Sequence, residues 1–327
     1  HWQVKPVFTG RDLNRLGSFS TTRALTEDMH YTRHHTELSE YLASGRQESF
    51  DVLTIGDSFS NGEGGSYYQD YMENQYGLKV INGKIPSYNC VPALYALDES
   101  GLLDEISPRV VILECVERSV QHRLGSKIFA SAGTYKQELE AISRGAGIKT
   151  ELYEGLMPQI MLLANRKYIY NKFYHLLKPE QLSPEVYITR LDRPFFTNPG
   201  QERTILYFFE DLRYQILPID VETVNQNLNN AARLLKAKGI KMIFFAAADK
   251  YDLYYPYIAD KNDRPENPSF RNLREVPDKD YIFVDTMKLL RQALSRGEQD
   301  VYWLNDTHWS HKGIKIVCDE LVRYIMP

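Results

Sequence analysis

The chain is expected to fold as α/β: a three-layer αβα sandwich around a central, mostly parallel sheet, with a largely helical insertion. Three observations carry this expectation. Short apolar runs alternate with amphipathic stretches in both the first and the last third of the 327 residues, the rhythm of strands feeding helices. One run, Arg109–Glu114, is almost wholly apolar, as a parallel strand buried on both faces should be. Between residues 119 and 218 the rhythm breaks, and about 100 residues is too long for a crossover loop.

Residues 1–47 are polar and carry no clear strand. Thr36–Leu42 reads as a short helix, and the whole segment as an arm lying on the main domain. The core starts at 48. Strand Phe50–Ile55 leads into a glycine-rich turn (Gly62, Gly64, Gly65) and a helix near Tyr67–Tyr76. A short strand Lys79–Asn82, a loop through Pro86 and a helix near Val91–Ser100 precede strand Arg109–Glu114. Within 119–218, helical patterns at Thr134–Arg144 and Leu156–Leu177 give way to Pro184, Pro194 and Pro199 and an aromatic, strand-like run Arg203–Phe209. This is read as an inserted lobe that caps or flanks the site. The core resumes at 219 with helix Val221–Lys238, whose Val224, Leu228, Ala231, Ala232, Leu234 and Leu235 recur at helical spacing, and Gly239 stands just past its end. Strand Ile240–Ala247, strand Tyr281–Val284, helix Thr286–Ser295 and a last helix over about Gly313–Ile325 complete the pattern. The catalytic core is thus expected to comprise 48–118 and 219–327.

Composition excludes some functions. With 39 basic and 43 acidic residues the net charge is −4, so the chain lacks a basic footprint for nucleic acid. A local stretch with Arg166, Lys167 and Lys172 among Tyr168, Tyr170, Phe173 and Tyr174 reads as an amphipathic helix or a binding surface. Twenty-three tyrosines suit both sugar-ring stacking and half-buried packing. Three cysteines are too few and too scattered for a metal site or a disulfide scaffold, and Cys115 and Cys318 sit in apolar runs as core residues. No metal or cofactor is expected. His30, His34 and His35 form a cluster that reads as a solvated arm or a weak metal site. No run of 18 apolar residues occurs, and a first residue of His1 points to a removed signal, anchor or tag.

The chemistry lies at the strand ends. The first core strand stops at Gly56 and Ser58 follows two residues later, which places a hydroxyl at the carboxyl edge of the sheet, where open α/β folds keep their ligands. A serine hydroxyl needs a base to take its proton and a third group to orient that base. His308 is the candidate base and Asp306 its orienting carboxylate, although Asp306-Thr307 also suits the N-cap of the last helix.

Gly56-Asp57-Ser58 after a strand resembles the first block of the SGNH (GDSL-type) hydrolase superfamily. Together with Asp306-Thr307-His308-Trp309 it is similar to the SGNH-like domains of the AlgJ/AlgX family of alginate O-acetylation proteins. Val110–Val116 ending in Glu117-Arg118 resembles that family's strand with a terminal Glu-Arg pair. Phe245–Asp249 ending in Lys250, with Tyr254 four residues on, resembles its strand ending in lysine. The likeness covers about 48–118 and 219–327. It implies a flavodoxin-like sheet and a serine O-acetyltransferase, or an acetylesterase with the same triad, working outside the cytoplasm. It further implies a polysaccharide or oligosaccharide acceptor and an acetyl donor delivered by a membrane-bound O-acyltransferase. A noncatalytic glycan-binding scaffold is the alternative from another class.

Two departures from the family matter. Its Asp-x-His segment precedes the serine, whereas here it follows, the linear order of ordinary SGNH esterases. The asparagine that such esterases place after the third strand as an oxyanion donor is replaced here by Glu114–Arg118. The backbone N–H of Ser58 remains an oxyanion donor, and a second is expected from the loop Asn82–Asn89, at Gly83 or else Ser87. Arg118 either replaces the asparagine or pairs with Glu117. Lys250 and Tyr254 either face the cleft or serve as a solvated lysine and a packing tyrosine.

Overall fold

The computed structural model describes residues 12–13, 31–45, 48–62, 67–84, 89–125, 166, 169–215, 218–261 and 264–326. At its centre lies a six-stranded sheet of β1 (Thr36–Glu37), β2 (Val52–Ile55), β3 (Val80–Asn82), β4 (Val110–Val116), β7 (Lys241–Ala247) and β8 (Ile282–Val284). The spatial order is β1-β3-β2-β4-β7-β8, and all five pairings are parallel. Helices cover both faces, so the expected sandwich is the observed one. The strands β2, β4 and all but the first residue of β7 are buried, which is why they read as unbroken apolar runs. The chain first steps outward from β2 to β3, then crosses back to β4. That reversal makes the carboxyl ends of β2 and β4 the topological switch point, where such sheets hold their ligands, and Ser58 stands three residues past the end of β2.

The helices of the core are α1 (Leu38–Ser44), α2 (Tyr68–Tyr76), α3 (Cys90–Glu99), α4 (Leu102–Ile106), α5 (Val120–Leu124), α6 (Val221–Ala237), α7 (Lys250–Tyr254), α8 (Ser269–Glu275), α9 (Thr286–Ser295) and α10 (His311–Ile325). The apolar face of α6 buries Val224, Leu228, Ala231, Ala232 and Leu235, and Asp220 caps its start by accepting from the Thr223 amide. None of the helices among the described residues is long and apolar enough to cross a membrane.

The arm contributes more than expected. Thr36 and Glu37 form an edge strand on β3, and the helix predicted over Thr36–Leu42 begins only at Leu38. A two-residue strand has too little alternation to be read from sequence. His35 is buried rather than solvated: its Nδ1 lies 2.6 Å from Asp70 Oδ1 and its Nε2 3.3 Å from Glu37 Oε1, while His34 Nδ1 lies 3.1 Å from Asp70 Oδ2. His30 lies outside the described residues. Burial disfavours the charged His35 ring, but hydrogen bonds and charge from Asp70 and Glu37 outweigh it and push its pKa up to about 9. A raised folded value means that this contribution is complete below 6.5 and is lost as pH rises through 9. Urea unfolding should therefore show stability falling across that window by at most ~3 kcal/mol, and His35→Gln should flatten the slope. An unchanged slope in the variant would remove His35 from the account.

Of the insertion, the described part holds an antiparallel hairpin, β5 (Val186–Arg190) with β6 (Thr204–Phe208), besides a helical stretch over 169–177. The pattern at Thr134–Arg144 and most of that at Leu156–Leu177 fall outside the described residues. The hairpin end is tied to the core: Asp192 N donates to Tyr257 O, Asp300 N to Phe195 O at 2.8 Å, and Thr197 N to Asp300 Oδ1 at 2.9 Å. The insertion thus braces the loop that precedes His308.

Candidate active site

Ser58, His308 and Asp306 meet in one line of hydrogen bonds. Ser58 Oγ is 2.8 Å from His308 Nε2, and His308 Nδ1 is 2.6 Å from Asp306 Oδ1. Asp306 Oδ1 also accepts the His308 backbone N–H at 3.0 Å, which fixes carboxylate and ring on the same short turn. The capping alternative for Asp306 falls away because Ser310 caps α10, accepting from the Lys312 amide. Asp306 and His308 are buried, while Ser58 keeps intermediate exposure among buried neighbours. The Phe59 ring packs 4.8 Å from the imidazole and limits its rotation.

The turn that carries Ser58 is anchored from beneath. Asp57 accepts from Val116 N at 2.8 Å, Phe59 N at 3.3 Å and the Arg123 guanidinium, so the residue before Ser58 is clamped to the end of β4. Its own amide donates to Glu114 Oε2 at 2.8 Å, which also accepts the Ser60 hydroxyl at 2.9 Å. Burial and the Asp57 charge push Glu114 well above the ordinary carboxylate range, favouring its protonated form. Gly56 is needed here because a Cβ would lie 2.3 Å from both Glu114 Oε2 and Ser60 Oγ. Gly56→Ala should therefore destabilise the protein by about 2 kcal/mol and misplace Ser58. Denaturation and ester hydrolysis check this, and wild-type values in both would contradict the clamp.

The loop carrying Asp306 and His308 is held from inside. Tyr302 and Trp309 pair as an antiparallel bridge at its base. The Lys250 ammonium, 1% exposed, donates to the carbonyls of Trp303 (2.6 Å), Leu304 (2.6 Å) and Asp306 (3.1 Å). Lys250 is therefore a strut beneath the relay, neither solvated nor facing a cleft. Tyr254 likewise belongs to the core: it is fully buried, with its ring against Phe195, Phe196 and Tyr302.

The expected oxyanion donors fare unequally. The Ser58 amide has no acceptor among the described residues and is available to a developing oxyanion. The Gly83 amide is not available, since it donates to Thr54 O at 2.7 Å and extends the β2–β3 pairing by one residue. Ser87 lies outside the described residues. Arg118 pairs with Asp249 and, at 3.4 Å, with Asp211, in place of the expected pairing with Glu117. Its side chain is 11% exposed and is engaged structurally. Burial, opposed by Arg118, raises Asp249 to about 6, and burial with the Asp249 charge raises Asp211 to about 8. Asn61, in the turn that follows Ser58, is buried with neither side-chain N nor O hydrogen-bonded among the described residues, so it holds a spare donor there that sequence reasoning missed.

Burial works against a charged His308, but the hydrogen bond and charge of Asp306, helped by Asp12, raise its pKa above the ordinary 6.5. Asp12 itself was not foreseen from sequence; its carboxylate accepts from Thr307 N at 2.9 Å and from the Thr307 hydroxyl. Among the described residues two groups have carboxylate or imidazole atoms within 4.8 Å of one another, Asp12–Asp306–His308 and Glu117–Asp249–Asp252. In both, atoms are already engaged: His308 Nδ1 by Asp306, and Asp249 by Arg118. No protein-family description matches the chain, and no curated protein matches it significantly.

Proposed function

We propose that the protein is a serine acyltransferase of the SGNH type that moves an acetyl group to hydroxyls of an extracytoplasmic polysaccharide. The observation that carries the catalytic part is the 2.8 Å contact between Ser58 Oγ and His308 Nε2, with Asp306 behind the ring. In the first half-reaction Ser58 Oγ attacks the acetyl carbonyl while His308 Nε2 takes the hydroxyl proton. The negative charge on the carbonyl oxygen is met by the Ser58 amide, a kind of donor worth about 3–4 kcal/mol to the transition state. The tetrahedral intermediate expels the donor's alcohol, which leaves with the proton held on Nε2. In the second half a sugar hydroxyl gives its proton to Nε2 and attacks the acetyl-serine, and Ser58 recovers that proton as it leaves.

The choice of acetyl, of a glycan acceptor and of a membrane-bound O-acyltransferase as supplier rests on the four segments that resemble alginate O-acetylation domains. The order of serine before Asp-x-His favours a second reading, a carbohydrate acetylesterase in which water replaces the sugar hydroxyl. Incubation with an activated acetyl ester and unacetylated oligosaccharides separates them. A transferase adds acetyl mass to the sugar; an esterase yields only acetate.

A further inference from the structure

We infer that Asp12 is a second carboxylate of the relay, a positioning residue that holds Thr307–His308 in place and stabilises the imidazolium formed on His308. This rests on reading Ser58, His308 and Asp306 as the acyl-transfer triad. Asp12 is nearly 300 residues from the histidine, yet its Oδ2 stands 3.6 Å from His308 Nδ1, against 2.6 Å for Asp306 Oδ1. Three donors fix it. The Thr307 amide at 2.9 Å and the Leu13 amide at 2.6 Å bond to Oδ1, and the Thr307 hydroxyl bonds to Oδ2. Thr307 is itself buried, and Leu13 is wholly buried in the core, which seats the segment on the loop. The carboxylate thus has its orientation set from two sides.

A buried acid beside another is costly: burial and the Asp306 charge both raise the pKa of Asp12. An asparagine would accept the Thr307 and Leu13 amides on its one carbonyl oxygen and donate from its amide nitrogen to the Thr307 hydroxyl, without that repulsion. The charge gains something only when His308 carries a proton, for then two carboxylates flank one imidazolium. The resting state is repulsive and the protonated state attractive, so the arrangement favours the step in which Nε2 takes the serine proton. The charged groups acting on His308 are Asp306 and Asp12, which raise its pKa, and Arg118, which lowers it but is bound to Asp249 and Asp211. Among the described residues Ser58, the Phe59 ring and the Thr307 hydroxyl, 3.5 Å from Nδ1, also touch the imidazole and carry no charge.

Removing the Asp12 charge should therefore lower the pKa of His308. Neutral His308 is the active base, so the acid limb of the pH profile should move to lower pH. The test compares wild type, Asp12→Asn and Thr307→Val in the full chain, following the His308 imidazole by proton NMR titration and hydrolysis of an acetyl ester against pH. In Asp12→Asn both the titration and the acid limb should shift downward together. Its kcat should fall about tenfold, because the imidazolium loses one of its two flanking carboxylates, with KM unchanged. Thr307→Val keeps the amide anchor and loses the hydroxyl one, so it should shift the same way by less. A His308 titration unmoved or moved upward in folded Asp12→Asn overturns the inference. If circular dichroism shows Asp12→Asn unfolded, Thr307→Val decides: a downward shift supports the inference and an unchanged titration overturns it. The titration reads the Asp12–His308 coupling whether or not the protein transfers acyl groups. Full ester hydrolysis by Ser58→Ala would refute the triad reading alone, whereas an unmoved titration beside an inactive Ser58→Ala would refute Asp12 alone.

Discussion

Ser58→Ala should lower the rate of acetyl ester turnover by about 10⁴- to 10⁶-fold, the scale seen when the nucleophile of a serine triad is removed. The size follows from the geometry. Ser58 Oγ is the group that His308 Nε2 faces at 2.8 Å, and among the described residues no second hydroxyl bonds to Nε2. Replacing a serine of intermediate exposure by alanine leaves the Asp57 clamp, Gly56 and the Asp306–His308 bond untouched, so stability should change by less than about 0.5 kcal/mol. Initial rates with a chromogenic acetyl ester, beside a urea unfolding curve, measure both quantities. A variant that retains even a tenth of wild-type turnover would mean that the acyl group does not pass through Ser58.

Lys250→Met should produce the second largest effect, on both stability and rate. Methionine matches the length and apolar stem of lysine but offers no proton to the carbonyls of Trp303, Leu304 and Asp306. Three buried acceptors would lose their donor at about 1–3 kcal/mol each before relaxation, so a net loss of about 3–5 kcal/mol is expected. The Lys250 charge also favours ionised Asp211, so without it that carboxyl, already raised by burial and the Asp249 charge, is harder still to ionise. Rate should fall further than stability alone explains, since a shift of about 1 Å in a positioned catalytic group can cost 10²-fold. Denaturation and turnover measured on the folded fraction test this. Wild-type values for both would show that the loop holds itself without the ammonium.

The hydrogen-bonded line of Ser58, His308 and Asp306 was legible in the sequence because each member stands at a boundary the pattern marks. Ser58 follows the glycine that ends an apolar strand, and His308 and Asp306 lie just ahead of the last helix. The order of elements was legible for the same reason: β2, β4 and β7 are buried on both faces and announce themselves as apolar runs. What remained hidden depends on register and distance. Whether the Gly83 amide is free turns on one extra β2–β3 hydrogen bond, to Thr54 O, which no residue pattern signals. Lys250 and Tyr254 stand where a strand runs into α7, and the side chain of Lys250 could go to a cleft or under a loop. Its direction is decided by residues 303–306, over fifty positions away. Arg118 has an acid beside it in Glu117, yet it pairs with Asp249 and Asp211, which reach it through the fold. Asp12 sits in a polar segment with no periodicity at all, and only tertiary contact reveals it.

The central claim is that Ser58 carries the acyl group, and the most direct measurement is peptide mass spectrometry after brief exposure to an activated acetyl ester and acid quench. The account predicts one acetyl group, located on the peptide containing Ser58. It further predicts faster loss of that group when an oligosaccharide acceptor is added, and no label in Ser58→Ala. Acetyl found only on lysines or tyrosines, or on the Ser58 peptide of wild type and Ser58→Ala alike, would contradict it.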